Sequence, residues 1–175
     1  MPQPERLIVS WTDLEQLVEV LAEKICGDAP GSTSASASTE PLARVDPAVA
    51  FDVMLAITRG ALVPAGMLAY RLGMRNIVVA AVAFYDDEGH PAEHPTFLQF
   101  PSDPLLHGKR VLIVDEVWDT GTTIQAVIDR VRLAGGQPTT AVLHYKPAHS
   151  RVPAVPDHYA VETDAWVVYP FKWGR

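Results

Sequence analysis

One cysteine, Cys26, stands in the 175-residue chain. An internal disulfide is excluded, and the composition fits a reducing compartment. Cys26 reads as a small packing residue on a helix, not as a reactive thiol. Positive charge is also scarce: 14 Lys and Arg face 21 Asp and Glu, for a net charge of -7. Binding to nucleic acid through bulk positive charge is excluded, and no helix-turn-helix segment is present. No apolar run approaches the ~18 residues that a membrane-spanning helix needs. The opening Met1-Pro-Gln-Pro-Glu-Arg6 has no apolar core like that of a signal peptide. The chain reads as soluble and cytoplasmic, with no membrane partner. Its six histidines show no zinc-ligand spacing: His90 and His94 lie in a proline-rich stretch without a third partner. No internal repeat is visible.

What is present is a composition 48% hydrophobic, enough for a real core. The length fits one domain, residues 1–175. Thr12 and Glu15 have capping-box spacing, and Leu14, Leu17, Val18, Leu21 and Ile25 follow at helical intervals, predicting a helix over 12–25. Residues 27–41 are low-complexity and have almost nothing to bury, so they read as a surface loop. Residues 53–57 and 77–84 are short continuous apolar runs, as expected of strands buried on both faces. A helix is expected between them, ending near Gly73. Residues 85–104 are polar and proline-containing, with a weak strand at 97–100, and read as an excursion or mobile lid. The clustered Asp86, Asp87 and Glu88 there fit a solvated loop tip. Further strands are expected at 109–114, 140–145, 159–162 and 166–169, with a helix over 122–134. Alternating strands and helices imply an α/β fold with a mostly parallel central sheet flanked by helices. In such sheets ligands bind beyond the carboxyl ends of the strands. That rule gathers Thr58, Asp115, Lys146 and Trp166 around one crevice.

The densest chemistry lies in Val111-Leu-Ile-Val-Asp-Glu-Val-Trp-Asp-Thr-Gly-Thr-Thr123. Four apolar residues deliver Asp115 and Glu116 to a strand tip. Side chains alternate along a strand, so one acid faces the crevice and the other turns aside. Such carboxylates accept hydrogen bonds from sugar hydroxyls and can hold Mg2+. Asp119, Thr120, Gly121, Thr122 and Thr123 then bring hydroxyls, a flexible glycine and free amides to a helix N-terminus, a setting suited to a phosphate. The lysine of a P-loop is missing. Together these features point to an enzyme acting on a phosphorylated sugar.

Residues 111–123 resemble the phosphoribosyl-pyrophosphate motif of type I phosphoribosyltransferases. The resemblance extends from about residue 10 to residue 173, leaving out the 27–41 insert. It implies that family's fold, with a small hood built from the N- and C-terminal segments. It also implies that Asp115 and Glu116 contact the ribose hydroxyls with Mg2+ nearby, and that residues 119–123 cradle the 5′-phosphate. Asp119 would face N7 of a purine and handle its proton. Thr58-Arg-Gly-Ala61 is similar to the family's pyrophosphate loop, with Arg59 and Gly60 kept and Ala61 in place of a second glycine. Lys146 stands where 6-oxopurine enzymes carry a lysine that donates to O6. Trp166-Val-Val-Tyr-Pro170 resembles their base-binding segment, with Trp166 stacking on the purine and the Val167 carbonyl near its 2-position. Lys172 departs from the pattern, because some members carry an acid nearby that helps hold a second magnesium. Tyr85 to His90 looks like the start of the family's mobile catalytic loop.

The resemblance thus implies an Mg2+-dependent transferase that moves phosphoribosyl from phosphoribosyl pyrophosphate to guanine, hypoxanthine or xanthine, and a homodimer. Two other readings keep the fold. One has a pyrimidine, orotate or nicotinate acceptor, and Lys146 and Trp166 speak against it. The other is a non-catalytic regulator, and the net charge of -7 speaks against it.

Overall fold

A computed structural model describes residues 5–27, 51–85 and 91–172. The low-complexity stretch 28–41 and the acidic tip 86–90 lie outside the described residues. Among the described residues, eight strands and four α-helices appear in the order β1 (Arg6–Ile8), α1 (Trp11–Gly27), β2 (Val53–Ile57), α2 (Leu62–Arg71), β3 (Ile77–Tyr85), β4 (Pro91–Gln99), α3 (Asp103–Leu106), β5 (Arg110–Trp118), α4 (Thr122–Leu133), β6 (Gln137–Tyr145), β7 (His158–Glu162) and β8 (Trp166–Val168). The main sheet runs β4-β3-β2-β5-β6-β7. All its pairs are parallel except β3 with β4.

Strand alternation divides the core into two layers. Met54, Ala56, Leu112, Val114, Ala141 and Leu143 point to one face, where α1 supplies Leu14, Val18, Leu21 and Ile25 and α2 supplies Ala65 and Leu68. Val53, Leu55, Ile57, Val111, Ile113 and Val142 point to the other, against Ile124, Val127, Ile128 and Val131 of α4. Continued past Val114, the same alternation sends Asp115 towards the α4 layer and Glu116 towards the α2 layer.

Four expectations need correction. The first helix is capped two residues earlier than Thr12 suggested: Ser10 Oγ and Asp13 Oδ2 lie 2.7 Å apart, and each side chain accepts the other residue's backbone N–H. Residues 91–99 form a strand where an irregular excursion was expected, and Phe100 falls outside it. Pro91 and Pro95 are tolerated because β4 is an edge strand with a single neighbour. The acids of β5 are not at its tip, since the strand continues through Val117 and Trp118, which pair with His144 and Tyr145. Finally, β8 is not in the main sheet. It pairs with β1 in a separate two-stranded sheet, with Trp166 opposite Arg6.

That small sheet joins the two ends of the chain over the carboxyl edge of the main sheet. Trp166 N–H donates to the Glu5 carbonyl at 2.7 Å, and Val9 N–H to Val168 at 2.9 Å. This is the hood that the resemblance implied. Cys26 is half-buried on α1, and burial pushes its thiol up, away from the reactive thiolate. No described helix is long and apolar enough to cross a membrane.

Candidate active site

The turn after β2 meets the acid strand directly. Gly60 faces the Glu116 carboxylate so closely that an added Cβ would lie 1.8 Å from Glu116 Oε2. The sequence suggested that this glycine lets backbone approach a ligand. It also makes room for a buried acid. Ala61 is tolerated because it caps α2 in right-handed helical conformation, which needs no glycine. The Thr58–Arg59 peptide is cis, and the Arg59 side chain is exposed.

A cavity of about 490 Å³ opens here, lined by Arg59, Gly60, Glu116, Trp166, Val167 and Lys172, with Val168 and Phe171 behind. Arg59, Gly60, Trp166 and Val167 therefore share one space with Glu116, whereas Lys146, Asp115 and residues 119–123 do not line it. Trp166 is 56% exposed, so it is not a core residue. Beneath it lies Lys146, only 4% exposed, with Nζ 5.7 Å from the indole centre. The same ammonium is 3.8 Å from Asp119 Oδ1. These contacts link the cavity to the loop that opens α4.

In that loop Gly121 caps α4 with φ +78°, a left-handed conformation that favours glycine. A Cβ there would meet Trp118 Nε1 at 2.5 Å and Val152 Cγ2 at 2.6 Å. The Thr120 and Thr122 hydroxyls lie 2.9 Å apart. Hydroxyls and the N-terminus of α4 form a cradle with the chemistry an anion requires.

Asp115 and Glu116 differ sharply. Asp115 keeps an edge open to solvent, and Oδ1 accepts the Glu116 N–H at 2.8 Å. Its dense surroundings first, and the Glu116 carboxylate second, push it well above the usual carboxylate range. Burial also opposes ionisation of Glu116. A hydrogen bond with Asp115 and the Lys172 ammonium outweigh it and hold Glu116 below its ordinary value. Lys172 Nζ donates to Glu116 Oε1 at 2.6 Å. Among the described residues, no cluster of three or more acids, histidines or cysteines could cage a metal. Two adjacent carboxylates do fit Mg2+, which typically takes one or two and completes its shell with substrate phosphates and water. Lys172 already occupies the Glu116 oxygen, so a metal there would share or displace it.

Three contacts escaped the sequence reading. Tyr169 is buried under the hood, and its hydroxyl donates to the Glu116 carbonyl at 2.6 Å. The Tyr169 hydroxyl oxygen lies 2.8 Å from His144 Nδ1, so the imidazole N–H donates to it. Tyr169 thus ties the base-binding segment to the acid strand. Removing the hydroxyl leaves a buried donor and a buried acceptor unpaired, at a cost of about 1–3 kcal/mol. Tyr169→Phe is expected to lower the urea unfolding midpoint accordingly. The second is His149, whose Nδ1 lies 2.8 Å from Asp119 Oδ1. The third is Lys172, which pairs with Glu116.

His144 also sets a pH limit. Burial, then the Lys146 charge, lower its pKa from 6.5 to about 4. The unfolded chain binds the proton more readily, so stability is intact above pH ~6.5 and falls as pH drops towards 4. The full loss is roughly 3 kcal/mol. Unfolding titrations at pH 7 and pH 4 should show this fall, and His144→Gln should reduce it.

Known proteins share this fold. The phosphoribosyl transferase domain model matches residues 10–173. A xanthine-guanine phosphoribosyltransferase of Gluconobacter oxydans (strain 621H) is 32% identical over 123 residues, spanning 69% of this chain and 68% of that protein. The crystal structure of a purine phosphoribosyltransferase from Pyrococcus horikoshii Ot3 superposes with a TM-score of 0.73 at 30% identity, covering 97% of this chain and 96% of the other. A Neisseria gonorrhoeae protein solved with bound ppGpp superposes with a TM-score of 0.74 at 26% identity, covering 98% and 91%. The chain belongs to the phosphoribosyl transferase domain family.

Proposed function

We propose that the protein transfers 5-phosphoribosyl from phosphoribosyl pyrophosphate to N9 of a 6-oxopurine, a purine-salvage reaction. The observation that carries this reading is the exposed Trp166 ring above the buried Lys146 ammonium, with Asp119 3.8 Å from the same ammonium. A flat aromatic platform, a fixed cationic donor and a carboxylate meet one base edge and one base face. The names of the Gluconobacter and Pyrococcus relatives support the same acceptor class.

In this reading the 119–123 loop holds the 5′-phosphate and Asp115 and Glu116 hold the ribose diol. Lys172 must then share or release Glu116 when the sugar arrives. The C1–oxygen bond to pyrophosphate breaks as the bond from N9 to C1 forms, and the leaving group gathers negative charge. Arg59 faces that charge. Mg2+, held at Asp115 and Glu116, would supply further neutralisation there. The base proton passes to Asp119. Lys146 donates to O6, and a 6-amino base would set a donor against that ammonium. Trp166 stacks on the ring and the Val167 carbonyl meets the 2-position.

We further infer a cytoplasmic homodimer, with the outer face of α2 as a candidate contact because Tyr70 is 93% and Leu62 51% exposed. We also infer, from the Neisseria protein solved with bound ppGpp, that this protein binds ppGpp. The test of the main reading is pyrophosphate release with phosphoribosyl pyrophosphate, Mg2+ and each free base in turn. Guanine, hypoxanthine or xanthine should react, and omission of Mg2+ should suppress the rate. Faster reaction with adenine, orotate or nicotinate would overturn the assigned acceptor.

A further inference from the structure

The 3-10 turn Pro147–His149 follows β6 and carries a side chain that the reaction scheme has not used. His149 Nδ1 lies 2.8 Å from Asp119 Oδ1. An ionised carboxylate only accepts, so the imidazole N–H is the donor. Lys146 approaches the same oxygen, at 3.8 Å. No described residue donates to Oδ2.

The histidine is placed by a hydrogen-bonded scaffold. Ala148 N–H donates to Asp164 Oδ1 at 3.2 Å, and His149 N–H to the Lys146 carbonyl at 3.2 Å. Ser150 Oγ accepts from Trp118 Nε1 at 3.3 Å and donates to the Val152 carbonyl at 3.3 Å. Arg151 N–H donates to the Thr120 carbonyl at 2.9 Å. Bonds on both sides of His149 thus fasten this turn to the end of β5 and to the loop that contains Asp119. Val152 also packs where a Cβ on Gly121 would intrude.

We propose that His149 is a positioning residue for Asp119: its N–H fixes Oδ1, so that Oδ2 is the oxygen presented to the purine proton. This rests on the reading of Asp119 as the proton acceptor. A carboxylate otherwise free to rotate about its side-chain bonds is held in one orientation. Proton transfer needs hydrogen-bond reach, and misplacement of the order of 1 Å costs as much as a hundredfold in rate. The partnership orients the acid and does not bind either substrate.

The test compares His149→Ala, His149→Asn, Asp119→Asn and the double variant Asp119→Asn/His149→Ala, all checked for unchanged circular dichroism and melting. His149→Ala should lower kcat about ten- to a hundredfold, with KM for base and for phosphoribosyl pyrophosphate unchanged. His149→Asn should restore most of the loss, because its amide nitrogen stands near the Nδ1 position. The double variant should be no slower than Asp119→Asn, since the histidine acts only through that carboxylate. Wild-type kcat in His149→Ala, or no rescue by Asn, overturns the inference while leaving Asp119 in place. Wild-type kcat in Asp119→Asn removes the assignment of Asp119 itself, and the inference with it.

Discussion

Asp119→Asn is expected to lower kcat by about 10²–10⁴-fold, the usual range for loss of a positioned general base. The amide keeps the shape of the side chain and still accepts from His149, whose Nδ1 lies 2.8 Å away. It cannot take a proton from the purine. The carboxylate is half-exposed, and the amide oxygen that replaces it still faces the buried Lys146, which lies 3.8 Å from Asp119 Oδ1. The unfolding midpoint should therefore stay within experimental scatter of wild type. Steady-state kinetics beside a urea titration separates the two effects. An enzyme slowed only in proportion to lost stability would contradict the role assigned to Asp119.

Lys146→Ala should lower kcat/KM for 6-oxopurines by about ten- to a hundredfold. A hydrogen bond from a charged donor contributes about 1.5–3 kcal/mol, and each 1.36 kcal/mol is a factor of ten. The effect should be selective. Adenine offers an amino group where the 6-oxopurines offer a carbonyl, so its poor use should not worsen when the ammonium is removed. The ratio of the two kcat/KM values, more than either alone, reports on the base edge. An equal loss for both bases would mean that Lys146 supports the fold around Trp166 and does not read O6.

Periodicity carried most of the fold because the main strands are buried on both faces. Val53 to Ile57 stands out as an apolar run, and all five residues are buried. The same property hid the division into two layers, since an apolar run looks alike from either side. The end of β5 was misjudged because Asp115 and Glu116 interrupt the apolar pattern, whereas backbone pairing with β6 carries the strand on to Trp118. At β4 the prolines argued against a strand, and only its place at the sheet edge removes the objection. Strand β1 spans three residues, too few for a period of two to register.

The site was legible where chemistry is written in adjacent residues. Residues 115–123 announce themselves by composition alone, whereas Arg59-Gly60 gains its meaning from the resemblance. Contacts between distant residues left no such trace. Tyr169 looks like one more apolar-aromatic position until its hydroxyl is seen to donate to the Glu116 carbonyl. Lys172 stands out in sequence only as a departure from the family pattern, and its pairing with Glu116 at 2.6 Å is visible only in the fold. His149 is one of six histidines and is marked only by the fold of its turn over Asp119. The closeness of Gly60 to Glu116 explains that glycine more directly than any ligand does.

The central claim is that residues 115–123 grip a phosphorylated pentose while Trp166 and Lys146 hold its base. A crystal structure of the protein with guanosine 5′-monophosphate tests this most directly. The account predicts the phosphate on the backbone amides at the N-terminus of α4, the ribose hydroxyls at Asp115 and Glu116, and the purine against Trp166 with O6 towards Lys146. A nucleotide bound elsewhere, or reversed so that its phosphate meets Lys146 and its base the α4 loop, would contradict it.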